Sequence, residues 1–367
     1  MVDIRMQKLA DLLVNYSIKV KPGDRVLIQG PTIAEPLLRE IYAKVIQAGG
    51  HPFCLPVVSG TDELLYRYGS EKQLEHIPEP ISLIYKTYDC RIYIHAEENT
   101  RELTNVNPNK LVTRAKAHRE LVDIMMKRTA AGEFRWVLAP YPTNAFAQDA
   151  EMSLLEYEDF LFQACMPDLN DPIGYWKRVA IRQQKLVEWF KGKKVIRIKS
   201  NQTDIAMSIE GRTFVSCHGE KNIPDGEIYT GPVEESVNGY VNFSYPSIYN
   251  GHEVQGIKLW FKEGKIIKAS AEKNEDFLLK TINTDEGATY VGELGIGTNE
   301  GITRYTREIL FDEKINGSFH LALGAGYPET GSKNKSSIHW DMVTDISDGE
   351  INVDGDIIYK NGKFLIY

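Results

Sequence analysis

The sequence predicts a mixed fold in two parts. An N-terminal, doubly wound α/β domain covers residues 1–190, and a mostly antiparallel, β-rich domain with a few helices covers residues 191–367. Three observations predict it. The first half alternates helical and strand patterns, as βαβ units around a parallel sheet require. From about residue 194 the chain turns to short strands joined by hairpin signals such as KEGK (262–265) and KNGK (360–363). A chain of 367 residues also exceeds what one ordinary core encloses.

Residues 4–16 place Met6, Leu9, Leu12, Leu13 and Tyr16 at helical spacing. After the turn KPGD, the run RVLIQG (25–30) reads as a short apolar strand. A helix follows over 34–48, with Leu37, Leu38, Ile41 and Val45 on one face. Gly49 and Gly50 close it where a left-handed C-cap would sit. HPFCLPVV (51–58), CRIYIHA (90–96) and RWVLAPYP (135–142) read as further strands. Between the last two lies a long helix opened by Asn107 and Pro108. Another helix starts at Asp171 and Pro172 and gathers Trp176, Val179, Ala180, Leu186, Val187 and Phe190 on one face. The basic run KGKKVIRIK (191–199) reads as a lysine-guarded strand edge rather than a phosphate patch. VIRIKS, DIAMSIEG, IKLWFKEGKIIKASA and GDIIYKNGKFLIY supply the strands of the second half, and one helical pattern, Glu275 to Asn283, interrupts them.

Composition narrows the class. With 42% apolar and 26% charged residues the chain reads as a soluble globular protein. No apolar run approaches the roughly 20 residues that span a bilayer, and the charged N-terminus lacks a signal-peptide cleavage site. A net charge of -8 argues against a nucleic-acid partner. Cys54, Cys90, Cys165 and Cys217 lie far apart without a C-x-x-C, so they read as buried, reduced thiols of a cytoplasmic protein. RVLIQG is followed by PTIAEP, with neither G-x-G-x-x-G nor a P-loop, and GELGIG has glycines in the wrong order for either.

The concentrated polar chemistry falls in the β-rich half, in four stretches. NIPDGEIYTGP (222–232) holds Glu227, and GELGIGTN (292–299) holds Glu293 among glycines that let backbone approach closely. HLALGAGYPET (320–330) opens on His320 and carries Tyr327 seven positions on. In IHWDM (338–342), His339 and Asp341 stand two apart, so on a strand both project to one face and Trp340 to the other. Each has an ordinary explanation: a solvent-facing glutamate, a hydrogen-bonded core histidine, a packed tyrosine, a salt-bridged His–Asp pair. Together they are too many costly groups to bury without compensation, which a pair of divalent cations would supply. Mixed imidazole and carboxylate donors suit zinc, cobalt or manganese.

These four motifs, with AFAQDAEMSLLEYEDFLF (145–162), resemble the thermophilic metalloaminopeptidase family typified by aminopeptidases T and S. The resemblance runs in order over nearly the whole chain. It implies a cytoplasmic homodimer that releases N-terminal residues from short peptides through water activated by two divalent ions (Zn, Co or Mn). The first domain would then wall the substrate cavity. Carried over by position, the metal ligands fall on Glu227, Glu293, His320, His339 and Asp341, and the active-site tyrosine on Tyr327. Glu313, in LFDEK, lies near a further acidic position of the family but is spaced differently, so it stays outside the ligand set. Glu293 is expected to bridge the ions, to act as general base, or both. Tyr327 is expected to donate to the developing oxyanion. Two alternatives stay open on the residues alone. One is another two-metal hydrolase, an amidohydrolase or phosphoesterase, although few Arg or Lys accompany the motifs. The other is a non-catalytic metal- or peptide-binding protein.

Overall fold

A computed structural model describes residues 3–366, in two compact units. The first comprises residues 3–173 and 219–223. Its sheet is parallel, with strand order β2–β1–β3–β4 (β1 Arg25–Pro31, β2 His51–Val57, β3 Cys90–His95, β4 Arg135–Pro140). Val26, Leu27 and Ile28 of β1 are all buried, as a central strand covered on both faces must be. The helix Glu35–Gln47 buries the expected Leu37, Leu38, Ile41 and Val45, and Gly49 beyond it takes φ +82°. Asn107 caps the helix Pro108–Ala130 by accepting from the Asn109 amide at 2.9 Å. Residues 219–223 return to this unit: Leu138 of β4 donates to Lys221 O at 2.8 Å and accepts from the Ile223 amide at 2.9 Å.

The division falls after residue 173 rather than at 190. The helix Pro172–Phe190 places Leu186 and Phe190 in one core with Ile196, Ile198 and Ile205, and Phe190 stacks on Phe214 at 3.9 Å between centroids. The apolar stripe of that helix was legible in the sequence. The core it covers was not.

The second unit, residues 174–218 and 224–366, is built on two antiparallel sheets. The larger has the order β13–β12–β9–β6–β5–β17–β18–β19. Its strands are β5 Val195–Ser200, β6 Thr203–Ser208, β9 Asn238–Asn242, β12 Lys258–Lys262, β13 Lys265–Ser270, β17 Glu350–Val353, β18 Asp356–Lys360 and β19 Lys363–Phe364. The smaller has the order β16–β15–β14–β8–β7, from β7 Val215–Cys217, β8 Glu227–Thr230, β14 Val291–Gly297, β15 Ser318–Gly324 and β16 His339–Asp345. A short hairpin, β10 Ser247–Tyr249 with β11 His252–Val254, completes the strands among the described residues.

The two sheets share one core, in which Ile205, Val241 and Leu259 meet Leu294, Leu321, Trp340 and Met342. Both hairpin signals form turns with two consecutive positive φ angles, Glu263 (+49°) with Gly264 (+83°) and Asn361 (+48°) with Gly362 (+79°). The basic run corrects one expectation. β5 is not an edge but pairs with β6 on one side and β17 on the other. The lysines before it serve ion pairs instead, Lys193 with Asp356 at 3.4 Å and Lys194 with Glu210 at 3.0 Å. Of the cysteines, none forms a disulfide; Cys90 and Cys165 are buried, whereas Cys54 and Cys217 are half-buried. Among the described residues no helix is long and apolar enough to cross a membrane.

Candidate metal centre

The smaller sheet assembles the four motifs by register. Glu227 lies opposite Gly297, and Gly295 opposite His320. Glu293 lies opposite Ala322, Ala322 opposite Asp341, and Gly324 opposite His339. Because side chains alternate along a strand, Glu227, Glu293, His320, His339 and Asp341 all project from one face. The other face carries Ile228, Leu294, Ile296, Leu321, Leu323 and Trp340 into the core. Trp340 is anchored there by donating from Nε1 to Ser247 Oγ at 2.7 Å. Small residues interleave with the polar ones, and the spacing is tight: a Cβ on Gly295 would lie 2.0 Å from Cε1 of His320. The glycines of GELGIG therefore admit an imidazole ring rather than a nucleotide phosphate.

The donor atoms form overlapping groups. His320 Nε2 stands 3.6 Å from Glu227 Oε2 and 3.5 Å from Glu293 Oε1. His339 Nε2 stands 3.4 Å from Glu293 Oε2 and 3.6 Å from Asp341 Oδ1. Glu293 thus turns one oxygen to each imidazole. Donor atoms of Glu227, Glu293 and His320 lie within 4.8 Å of one another, as do those of Glu293, His339 and Asp341.

Two residues outside the sequence-derived set join this cluster. Glu313 offers an atom within 4.8 Å of His320 and Asp341. Lys314, wholly buried, hydrogen-bonds Glu313 and lies 3.7 Å from Glu227 Oε1. Both follow the short helix Ile309–Asp312, whose buried Leu310 and Phe311 anchor the segment. In the sequence Glu313 stands out only by its nearness to an acidic position of the family, and Lys314 not at all, because an Asp-Glu-Lys triplet ordinarily faces solvent. Cys217 and Asp225 also lie within 4.8 Å of Glu227. Tyr327 sits at the mouth, 39% exposed, its ring 5.1 Å from that of His339 and 5.5 Å from that of Tyr229.

The electrostatics reflect crowding of charge in a dry site. Burial pushes the Glu227 carboxyl up to about 8, against the pull of Lys314, and raises Glu313 as well. For Glu293 and Asp341 burial acts upward too, but it is outweighed, at Glu293 by hydrogen bonds from both imidazoles and at Asp341 by the hydrogen bond from His339 with the charges of His339 and His320, so both carboxyls lie below their usual values. Burial alone would lower His320 and His339. The facing carboxylates overcome it and raise them to about 10 and about 11. Burial, then the nearby carboxylates, raises the Tyr327 phenol, which keeps its hydrogen across the physiological range.

This donor set fits a divalent metal. Glu227 Oε2, which faces His320 Nε2 at 3.6 Å, is buried without a hydrogen-bond partner, a costly state that an ion relieves. His339 Nδ1 lies 2.8 Å from the carbonyl of Ala325. A carbonyl only accepts, so Nδ1 carries the hydrogen in that contact. Nε2, which faces Glu293 and Asp341 and carries the second proton of the metal-free imidazolium, is the nitrogen a metal ion would take once that proton leaves, the arrangement common for metal-bound histidine.

The sequence profile of a family described as thermophilic metalloprotease (M29) matches residues 2–364. The chain is 27% identical to aminopeptidase 2 of Geobacillus stearothermophilus, over 98% of this chain and 95% of that protein. It is 24% identical to aminopeptidase T of Thermus thermophilus, over 97% and 95%. The solved structure of wild-type AmpT from Thermus thermophilus superposes with a TM-score of 0.86 over 99% of both chains, at 21% identity. A 2,5-dihydroxypyridine dioxygenase from Pseudomonas putida KT2440 shares the fold at a TM-score of 0.58 and 12% identity, over 100% of this chain and 99% of that one. The fold therefore hosts more than one chemistry, and the residues of the site must carry any assignment.

Proposed function

This chain belongs to the thermophilic metalloprotease (M29) family, and we propose that it releases N-terminal residues from short peptides at the imidazole–carboxylate cluster of the smaller sheet. It is a metal-dependent aminopeptidase: the family is one of metalloproteases, and the relatives it matches over 95% of their length are named aminopeptidases. The observation that carries the site assignment is the disposition of Glu293, with one oxygen 3.5 Å from His320 and the other 3.4 Å from His339. A carboxylate so placed suits a bridge between two cations. Glu227, His320 and Glu293 would hold one ion, and Glu293, His339 and Asp341 the other, with Glu313 as an additional donor beside His320 and Asp341. The mixed donors favour zinc, cobalt or manganese. When bound, such ions supply Lewis acidity toward a carbonyl and lower the pKa of water.

The chain's own groups do the rest. Glu293, held as a carboxylate, accepts the proton of the attacking water and returns it to the leaving amine. Tyr327, held as a phenol, donates to the oxygen on which charge develops, a contact that strengthens only in the transition state. Lys314 holds Glu227 from the side away from His320 by its charge. A homodimer is part of the same proposal, and sedimentation at micromolar concentration checks it.

The test combines metal analysis with hydrolysis of aminoacyl anilides. Activity should require bound divalent metal, disappear with chelator and be blocked by N-acetylation of the substrate. Full activity in chelator, with no metal bound, would remove this reading.

A further inference from the structure

Tyr327 stands on a loop rather than on the sheet that carries the other residues of the site. Its ring lies against those of Tyr229 and His339, yet 39% of the residue is exposed. A hydroxyl that must meet a developing charge has to be held within about 0.5 Å, a precision that strands supply more readily than loops. The segment 327–333 is fixed instead by the chain it folds against. Tyr327 O accepts from the amide and the hydroxyl of Thr330, at 3.1 and 2.7 Å. Thr330 and Ser332 are buried and press on Gly231, where a Cβ would lie 2.8 Å from Thr330 Oγ1 and 2.6 Å from Ser332 Cβ. Gly326 is covered as closely, since a Cβ there would lie 2.0 Å from Ser332 Oγ.

Two charged side chains close the arrangement. Glu234 belongs to the short turn Glu234–Ser236 that follows β8. Its Oε1 accepts from the Lys333 amide at 2.6 Å and from Ser332 Oγ at 3.4 Å, and its Oε2 accepts from Arg212 Nη2 at 2.6 Å. The side chain of Arg212 is 6% exposed and that of Glu234 20%. Thr213, the next residue, donates its amide to Thr330 O at 3.0 Å, and its carbonyl accepts from the Thr230 hydroxyl at 2.9 Å. Burial acts to raise the Glu234 carboxyl, but backbone amides, that of Lys333 first, and the Arg212 charge outweigh it and hold it below the usual range. Glu234 stands outside the donor groups of the cluster, and a sheltered ion pair adds little stability over apolar side chains of the same volume. Its contribution is a defined place for the segment it binds.

We propose that Arg212 and Glu234 are positioning residues for Tyr327, latching segment 327–333 onto the connections that follow β6 and β8 so that the phenol hydroxyl stands at the mouth of the cluster. The inference rests on the aminopeptidase reading and on Tyr327 as its oxyanion donor. The bonds run from Arg212 through Glu234 to the Lys333 amide, and from Thr213 through Thr330 to the carbonyl of Tyr327 itself. Loss of the latch therefore displaces Tyr327 and leaves Glu227, Glu293, His320, His339 and Asp341 where strand register places them.

The experiment measures kcat and KM of the metal-loaded protein on alanyl and leucyl anilides. Glu234→Gln and Arg212→Ala should each lower kcat by about 10–100-fold, the scale of a displacement near 1 Å, with KM and bound metal close to wild type. Arg212→Lys keeps a charged donor for Glu234 and should lose less than Arg212→Ala. In a Tyr327→Phe background Glu234→Gln should cost less than about twofold, because the group it positions is gone. Hydrogen exchange of the metal-free protein gives a reading independent of turnover. The amides of residues 329–334 should exchange at least about tenfold faster in Glu234→Gln, with those of β14 and β15 unchanged. Variants on both partners are used so that misfolding of one leaves the other to decide. Equal losses of kcat with and without the Tyr327 hydroxyl, wild-type kcat in a folded variant, or unchanged exchange overturns the latch while the aminopeptidase stands. Wild-type kcat in Tyr327→Phe overturns the donor role and the latch with it. No hydrolysis of either anilide by the metal-loaded wild type overturns the aminopeptidase reading as well.

Discussion

The ammonium of Lys314, shielded entirely from solvent, lies 3.7 Å from Oε1 of Glu227, while Oε2 of the same carboxylate faces His320. One oxygen is thus held by a built-in cation and the other is turned toward the cluster. Removing the lysine leaves Glu227 and Glu313 buried without their nearest positive charge. Lys314→Met is therefore expected to destabilise the metal-free protein by about 3–5 kcal/mol, the usual cost of breaking a buried ion pair from one side. Divalent metal should recover part of that loss, because it neutralises the same carboxylates. Thermal unfolding with chelator and with saturating manganese measures both numbers; equal losses in the two conditions would mean that Lys314 acts only by packing.

Tyr327 is expected to act on turnover alone. Its ring packs between those of Tyr229 and His339, and phenylalanine preserves that packing while deleting the donor. Tyr327→Phe should lower kcat by about 10²–10³, the effect of losing one oxyanion donor, with KM and metal content close to wild type. An unchanged kcat would reduce Tyr327 to a packing residue.

Asp341→Asn keeps the side chain's volume and removes its charge 3.6 Å from His339. Loss of a direct donor should weaken metal binding by more than about 100-fold, beyond the 10–100-fold seen for outer partners of metal ligands. Turnover should fall with it and return in part at high metal concentration. Were the residue merely ion-paired at the surface, the substitution would cost at most about 1 kcal/mol and leave activity alone. Equilibrium dialysis against a buffered metal series separates the two cases.

In the metal-free protein, His320 and His339 hold protons to about pH 10 and about pH 11. These values lie above the ordinary histidine value near 6.5, so the stability from the His–carboxylate contacts is full below about pH 6.5 and disappears as pH rises through 10 to 11. Glu227, raised to about 8, works in the same direction: it keeps its proton in the fold where the unfolded chain would lose it above about pH 4.5, so stability falls between those values. Chelator-treated protein should thus have a lower Tm at pH 9 than at pH 6. Metal must displace the two imidazole protons and most of the proton on Glu227, so its affinity should rise with pH and its binding at pH 7.5 release between about two and three protons. Calorimetric titrations in buffers of different ionisation enthalpy at pH 7.5 read that release directly; identical heats would contradict it.

Local pattern by itself determined a good deal of this protein. The alternation in IHWDM already placed His339 and Asp341 on one face and Trp340 on the other, because strand geometry has a period of two whatever the strand packs against. The helix over residues 34–48 and its glycine stop follow equally from spacing and from the one conformation glycine adopts freely. Only the tertiary structure decided which strands lie side by side. It put β5 inside a sheet rather than at an edge, assigned the helix Pro172–Phe190 to the second unit's core, and set Ala322 between Glu293 and Asp341. It also carried Glu313 and Lys314 from an ordinary charged triplet into the buried cluster. The period of a side chain is a property of its own backbone and can be read in a dozen residues. Its neighbours depend on register and packing between segments more than a hundred residues apart, and on burial that turns a surface lysine into a fixed internal charge.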